Sequence, residues 1–563
     1  MKKYLLALIC ALIYILTWAQ KVYDYKENPP IKIPIYLSAN FAELRANHFH
    51  GGLDIKTNHE VGHKLYSIDE GYIARISVSP TGYGRALYIN HPNGTTSVYG
   101  HMLEFSPEID SITKTIQYEK QSFKIDEFFT PDVMPVKQGQ YIGLSGNSGS
   151  SGGPHLHFEI RDTETEHPLN PIAYGFDIAD KTRPRIHSFM VYPVFNKGMV
   201  EHNNRRKEIR PVLVNNQYTI TNPISAWGDI YLGLRANDYM INAGNIYGIY
   251  KYELYQDDQL IFGLTFDETN FDYTRAINAL IDYKLWKERK QFFVLTKMPV
   301  NNIGPYYDKN TQNNGIININ EERDYHFKYV LSDYEGNKTE FTFTIKGEKQ
   351  DIITETIKGT PIYCQRDNVY DINEFKIFFP ENGVYEDFTF DIIKRNNVKT
   401  SHSPLYELYP TILPMHLRAK VSIKVQNDTL KNKSQYYVGR IDKEGRAAYL
   451  GGVYRDGFMD LSISEMTNMA ILIDSVPPTI IKRNPVYGKQ NISFRINDAH
   501  TGIKSYDAYI DGKWALLEYD YKYKTTTYFY DKKRLEKGKS HTMKIVVTDM
   551  CNNETVYQTR FVY

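Results

Sequence analysis

Cysteine is nearly missing from this chain, with three in 563 residues. Cys10 sits in an N-terminal apolar run, and Cys364 and Cys551 lie far apart, so no disulfide framework is possible and two free thiols are expected. A charge of one sign is missing too. There are 67 basic and 66 acidic residues, for a net charge of +1, which removes any global electrostatic case for nucleic acid or a strongly acidic partner. After the N-terminus no apolar run is long enough to cross a bilayer as a helix. Long stretches of helical periodicity are scarce. Aromatic side chains are plentiful instead, at 14% with 47 tyrosines, and these favour strands and half-exposed sheet faces. The chain reads as mainly β, and its length calls for several domains rather than one core.

The N-terminus has the parts of an export signal. Lys2 and Lys3 precede an apolar run from Leu5 to Thr17, and Thr17-Trp18-Ala19 supplies a cleavage site. A signal peptide over 1–19 is therefore expected, with Gln20 as the first mature residue and the periplasm or cell envelope as the destination.

A first unit, 20–175 with its core at about 33–175, is dense in Gly, His and short alternating runs. YGRALYINH (83–91), the turn Pro92-Asn93-Gly94 and TTSVYGHM (95–102) predict a hairpin. The polar stretch 106–132 reads as an inserted loop or hairpin at its edge. Further β-rich modules are expected over 176–349, 350–475 and 476–563. The first and last of these share a pattern: an acidic residue before a Gly-Ile, an alternating strand and a polar turn, then a strand, an Asp, an Asn-containing turn and a last strand. NDYMINAGNIYGIYKYELY and LSDYEGNKTEFTFTI carry it in one; NDAHTGIKSYDAYI and VTDMCNNETVYQTRF carry it in the other. A repeated immunoglobulin-like sandwich is the predicted fold of both.

Chemistry concentrates in two short stretches of the first unit. In GGPHLHFEI (152–160), strand alternation puts His155, His157 and Glu159 on one face and Leu156, Phe158 and Ile160 on the other. In HFHGGLDI (48–55), His50 and Asp54 would sit roughly 13 Å apart in a straight strand. Donors that meet on one ion need the chain to bend between them, and Gly51-Gly52 permits that. Imidazole with carboxylate suits zinc, whereas calcium and magnesium prefer all-oxygen shells. Three such ligands would leave a fourth position for water. A set built from both His-x-His pairs, His48 and His50 with His155 and His157, is also sterically possible on strands. His59, His63, His91 and His167 read as surface or turn histidines. Glu159 reads equally well as an orienting partner for a histidine or as a solvated strand carboxylate.

Three motifs occur in order: His-x-Gly-x-Asp at 50–54, Tyr-Gly-His at 99–101 and Gly-x-x-His-x-His-Phe-Glu at 152–159. Together they resemble the lysostaphin-like, LytM-type zinc metallopeptidases, which cut peptide bonds in peptidoglycan. The resemblance covers about 33–175. It implies zinc held by His50, Asp54 and His157, with His101 and His155 as catalytic histidines. It also implies a β-rich unit whose sheet floors a narrow groove, with SGNSGSSGG (145–153) as one wall. An exported endopeptidase acting on peptidoglycan stems or cross-links is the function this predicts. A non-cleaving wall-binding protein or hydrolase activator, and a surface scaffold or adhesin, are the competing readings. The later modules are expected to position the enzyme or to meet an envelope partner. The chain departs from the family's minimal pattern in the insertion 106–132, which raises the prospect of a covered groove.

Overall fold

Alternating, tyrosine-rich sequence does become strand here: the computed structural model is about 47% strand and 8% helix. It describes residues 24–563 apart from 179, 241–243, 302, 397–400 and 485–489. The predicted signal peptide and its cleavage point lie outside the described residues. Among those described, no helix is long and apolar enough to cross a membrane.

One antiparallel sheet organises the first unit. Its path runs Leu37–Ala39, Leu53–Lys56, His155–Asp162, Thr95–Gly100, Arg85–Asn90, Gly71–Val78 and Ile125–Phe128. Arg85–Asn90 and Thr95–Gly100 form the expected hairpin, paired Leu87 to Tyr99 through Asn90 to Thr96. The long strand His155–Asp162 is central, so both its edges are paired. It places His157 opposite Asp54 on one side and opposite Gly100 on the other. Two motifs distant in sequence thus meet by register alone. Leu156, Phe158 and Ile160 point to the other face and are fully buried; burial of such side chains stabilises by about 1.5–3 kcal/mol each.

The insertion is not a loop or hairpin at the site. Pro107–Glu119 is a helix, followed by Ile125–Phe128, which adds an edge strand beside Gly71–Val78. Pro107 opens the helix, Glu108 and Asp110 occupy its first turn, and Ile109, Thr113 and Gln117 form its buried stripe. Acidic residues there suit the positive end of the helix dipole. The helix meets the end of the chain. Tyr118 packs edge-on against Trp514 with centroids 5.4 Å apart, and the Arg534 guanidinium lies 3.4 Å above the Tyr118 ring.

The remaining residues build further antiparallel sheets. An 11-stranded sheet spans 185–347, paired sheets of six and five strands span 360–473, and two four-stranded sheets span 479–562. In the last, Phe494 and Tyr528 from one sheet and Ile545 and Phe561 from the other share one core. The first unit and the 185–347 sheet share a continuous core, from Tyr25 and Phe49 through Phe266 to Ile345. Their junction is also hydrogen-bonded. Asn40 Nδ2 donates to Gly248 O and Gly248 N donates to Asn40 Oδ1, both at 2.9 Å, while Tyr247 OH donates to Leu37 O. Cys364 and Cys551 are buried free thiols.

Candidate metal centre and groove

Three donor residues converge at one end of the central strands. His50 Nε2 lies 3.0 Å from Asp54 Oδ1 and 3.1 Å from His157 Nδ1, and His157 Nδ1 lies 2.9 Å from the same Asp54 oxygen. All three residues are buried. A tetrahedral ion with ligands at 2.0–2.1 Å needs donors about 3.3 Å apart, so a few tenths of an ångström separate this arrangement from that shape.

Outer partners decide which nitrogens face inward. His50 Nδ1 lies 2.7 Å from Asn40 O and His157 Nε2 lies 2.7 Å from Glu159 Oε1. A carbonyl or a carboxylate can only accept, so each outer nitrogen donates. In neutral rings the inward nitrogens then carry lone pairs. Two lone pairs and a carboxylate oxygen aimed at one point need a proton or a cation between them, and the donor chemistry fits zinc. In the protein without metal a proton takes that place. Burial alone would lower the His157 pKa, but hydrogen bonds to Asp54 and Glu159 outweigh it and raise it to about 9. Asp54 is held well below the usual carboxylate range; burial opposes this, and His50 with the bonds from His155, His157 and His50 overcomes it. Burial lowers the His50 pKa.

The two glycines work through space rather than backbone freedom. A Cβ on Gly52 would lie 2.2 Å from Phe158 O, and one on Gly51 would lie 3.1 Å from Glu159 Oε1. Gly100, opposite His157, would bring a Cβ to 3.2 Å of the His157 Cβ.

Two further histidines flank the centre. His155 Nε2 is 3.3 Å from Asp54 Oδ1, and its Nδ1 donates to Gly153 O at 2.8 Å. His101 Nδ1 donates to Ser148 O at 2.8 Å, and the two rings are 4.8 Å apart. The His155 Nε2 thus faces the Asp54 carboxylate, while Nε2 of a neutral His101 ring carries a lone pair. His101 holds a left-handed φ of 58°, a strained value for a side chain of this kind and one often kept where a site demands it. Burial first, then His157 and His155, pushes the His101 pKa down to about 3, so this ring is neutral. The structure thus gathers His50, Asp54, His101, His155 and His157 in one place. His48 stays out: its Nδ1 bonds Ala46 O and its side chain is exposed, which removes the set built from both His-x-His pairs. His91 is not a surface residue; it is 5% exposed and bonds Glu70 O and Ser97 Oγ.

Several supporting residues complete the site. Glu159 is fully buried and takes bonds from His157, from Tyr83 OH at 2.5 Å and from Arg161 Nε at 2.6 Å. Burial would raise its pKa; Arg161, His157 and Tyr83 instead bring it down to about 2. Tyr83 also stacks on His157 at 5.0 Å. Arg45 donates to Asp54 Oδ2 at 2.8 Å, which leaves Oδ1 to the centre. Tyr83 was legible only as part of a strand, and Arg45 and Asn40 gave no signal.

The centre opens into a groove of about 1020 Å³. Its lining includes Gly82, Tyr83 and the glycine-rich segment 150–154, together with Asn245, Phe271 and Thr274 from the 185–347 region. The insertion 106–132 contributes no lining residue, so it does not cover the groove.

Comparison with known proteins locates this region. A model described as peptidase family M23 matches residues 48–171, and one described as a Zu5-like domain matches 360–474. The DD-carboxypeptidase/endopeptidase Mpg of Neisseria meningitidis serogroup B is 31% identical over 102 residues, 18% of this chain and 18% of that protein. An uncharacterized metalloprotease of Haemophilus influenzae is 28% identical over 111 residues, 20% of this chain and 18% of that one. The chain therefore spans about 18% of the length of the curated relatives it matches. Among solved structures, the catalytic domain of the prophage-encoded M23 protein EnpA from Enterococcus faecalis is 23% identical, covering 26% of this chain and 96% of that one with a TM-score of 0.20. A zinc-containing peptidase from Vibrio cholerae is 22% identical, covering 28% and 41%, with a TM-score of 0.20.

Proposed function

With residues 48–171 a peptidase family M23 domain, we propose that this protein is an exported zinc metalloendopeptidase that hydrolyses peptide bonds in peptidoglycan stems or cross-links. One observation carries the reading: three donors, from His50, Asp54 and His157, converge beside two further histidines, His155 and His101, each held through its Nδ1. The similarity to a DD-carboxypeptidase/endopeptidase supports the substrate class. The basic and apolar N-terminal run supports export.

His50, Asp54 and His157 would hold zinc, which when bound acidifies water and polarises a peptide carbonyl. The chain's own residues do the rest. Glu159 and the Asn40 carbonyl fix the tautomers of His157 and His50, so neither ring can turn its N–H inward. Gly153 and Ser148 do the same for His155 and His101. His155, nearest to Asp54, is placed to take a proton at Nε2 as the nucleophile attacks and to return it to the leaving amine. His101, neutral and held by its strained backbone, presents Nε2 as an acceptor, placed to take a hydrogen bond or a proton from the attacking water. The open groove, whose lining includes the 150–154 segment and Phe271, has room for an extended peptide.

The test is incubation of the purified chain with isolated sacculi, with muropeptides and new amines followed by mass spectrometry. Chelator-sensitive cleavage is expected, with His101→Ala and His155→Ala about 10²- to 10⁴-fold slower at unchanged metal content. His50→Ala, Asp54→Ala and His157→Ala should each lose the metal. Full zinc content in all three ligand variants, or cleavage that persists in chelator, would overturn the reading.

A further inference from the structure

Two other clusters of possible ligands stand apart from the groove, and they are built alike. The carboxylates of Asp180, Asp238 and Asp333 offer oxygens within 4.8 Å of one another, and so do those of Asp474, Asp498 and Asp549. Each trio takes its first Asp from the segment that enters a β region, ahead of the strands Arg185–Val200 and Thr479–Arg483. The second follows a strand at an Asn-Asp pair, Asn237-Asp238 and Asn497-Asp498. The third stands at the end of Asp324–Ser332 or Ser540–Asp549. An asparagine then folds back identically in both. Asn337 gives its N–H to Asp333 Oδ1 at 2.8 Å and its amide to Asp333 Oδ2 at 2.6 Å and Asp180 O at 3.4 Å. Asn553 gives its N–H to Asp549 Oδ1 at 2.8 Å and its amide to Asp549 Oδ2 at 2.8 Å and Asp474 O at 3.0 Å.

Hydrogen bonding leaves both trios incomplete. Asp238 is 2% exposed, and its Oδ1 is buried without a hydrogen-bond partner; Asp498 is only half-buried, but its Oδ2 atom is buried and lacks a partner as well. Leaving such an oxygen unpaired is costly. The first trio also lines a hollow of about 20 Å³, with Tyr250 and Tyr334 beside it, which is room for a single water-sized body. The one ion pair that any of the six carboxylates makes among the described residues is from His500 Nδ1, 3.4 Å from Asp474 Oδ1. Three carboxylates this close repel unless a proton or a cation lies between them. A first shell of carboxylate oxygen, with no imidazole or thiolate in either trio, selects a hard cation, and the flexible geometry of calcium tolerates such a set better than magnesium does.

We propose that Asp180, Asp238 and Asp333 form one calcium site and Asp474, Asp498 and Asp549 a second, each clamping the segment that enters a β module onto the strand ends of that module. The first clamp fixes the chain just after the peptidase domain. The second fixes the entry to the last module. Neither depends on the zinc centre.

The test uses the zinc-loaded full chain, freed of calcium with a calcium-selective chelator and with zinc measured in parallel. Calcium titration should show two ions per chain with dissociation constants up to about 1 mM. Asp238→Asn and Asp498→Asn should each remove one, and the double variant both. Calcium should raise the Tm of the parent chain and not that of the double variant. Without calcium the double variant should melt no lower than the parent, because each change removes a repelling charge at nearly constant shape. Terbium supplies a readout on the unaltered chain, since Tyr250 and Tyr334 can sensitise its emission and calcium should quench it. No calcium uptake by about 5 mM, undiminished uptake in the double variant, equal stabilisation by magnesium, or no calcium-displaceable terbium emission would each overturn the proposal.

Discussion

At the scale of single residues, His157 is the side chain whose partners decide most. It faces Asp54 through one nitrogen and Glu159 through the other. Removing the outer carboxylate by Glu159→Gln should weaken zinc binding about 10- to 100-fold, measured by competition with a chromophoric chelator. The fold should survive, because Gln can still meet Tyr83. Metal uptake must also displace the proton that Asp54 and Glu159 hold on His157 up to about 9. Zinc affinity is therefore expected to climb as the pH rises from about 6 towards 9 and to level off above it, since only below that pKa does a proton compete for Nδ1. The five residues that the structure brings together were legible in sequence as a candidate set because each sits in a short motif. The residues behind them were not. Glu159 reads equally well as solvated until register buries it, and Tyr83, Arg45 and Asn40 reach the centre only through cross-strand pairing and a packed junction that a linear pattern does not encode.

At the scale of elements, the pairing of Leu53–Lys56 with His155–Asp162 brings the ligands together, and at Gly52, just ahead of the first strand, there is no room for a Cβ beside Phe158 O. Gly52→Ala would set a methyl group against Phe158 O and force the strands apart. A loss of about 1–3 kcal/mol in stability is expected, with lower zinc content, read by thermal denaturation and elemental analysis. The hairpin Arg85–Asn90 with Thr95–Gly100 was visible in sequence from alternation and its Pro-Asn-Gly turn. The helix Pro107–Glu119 was hidden, because its buried stripe includes Thr113 and Gln117 and so looks polar. Its outward ring, Tyr118, is spent on Trp514. A double-mutant cycle on Tyr118→Ala and Trp514→Ala should give a coupling of about 0.5–1.5 kcal/mol; a value near zero would mean that this contact does not hold the last module in place.

At the scale of the whole molecule, the last module also reaches the groove's glycine-rich side. Arg85 pairs with Glu518 at 2.6 Å, and Lys522 donates to Asn147 O and Ser151 O. Lys522→Ala should free the segment 147–151, and limited proteolysis there should quicken while the β modules remain intact. The 185–347 region also lines the groove, through Phe271 and Thr274. That same region grips Asn40 from both sides through Gly248, and the Asn40 carbonyl holds the His50 ring. The stretch recognised as a peptidase, 48–171, begins after Asn40 and ends before Gly248. A graft of that stretch into another protein would carry every ligand and leave behind the grip that aims one of them. The interchangeable part, for recombination or for engineering, is consequently the peptidase together with the β region that follows it.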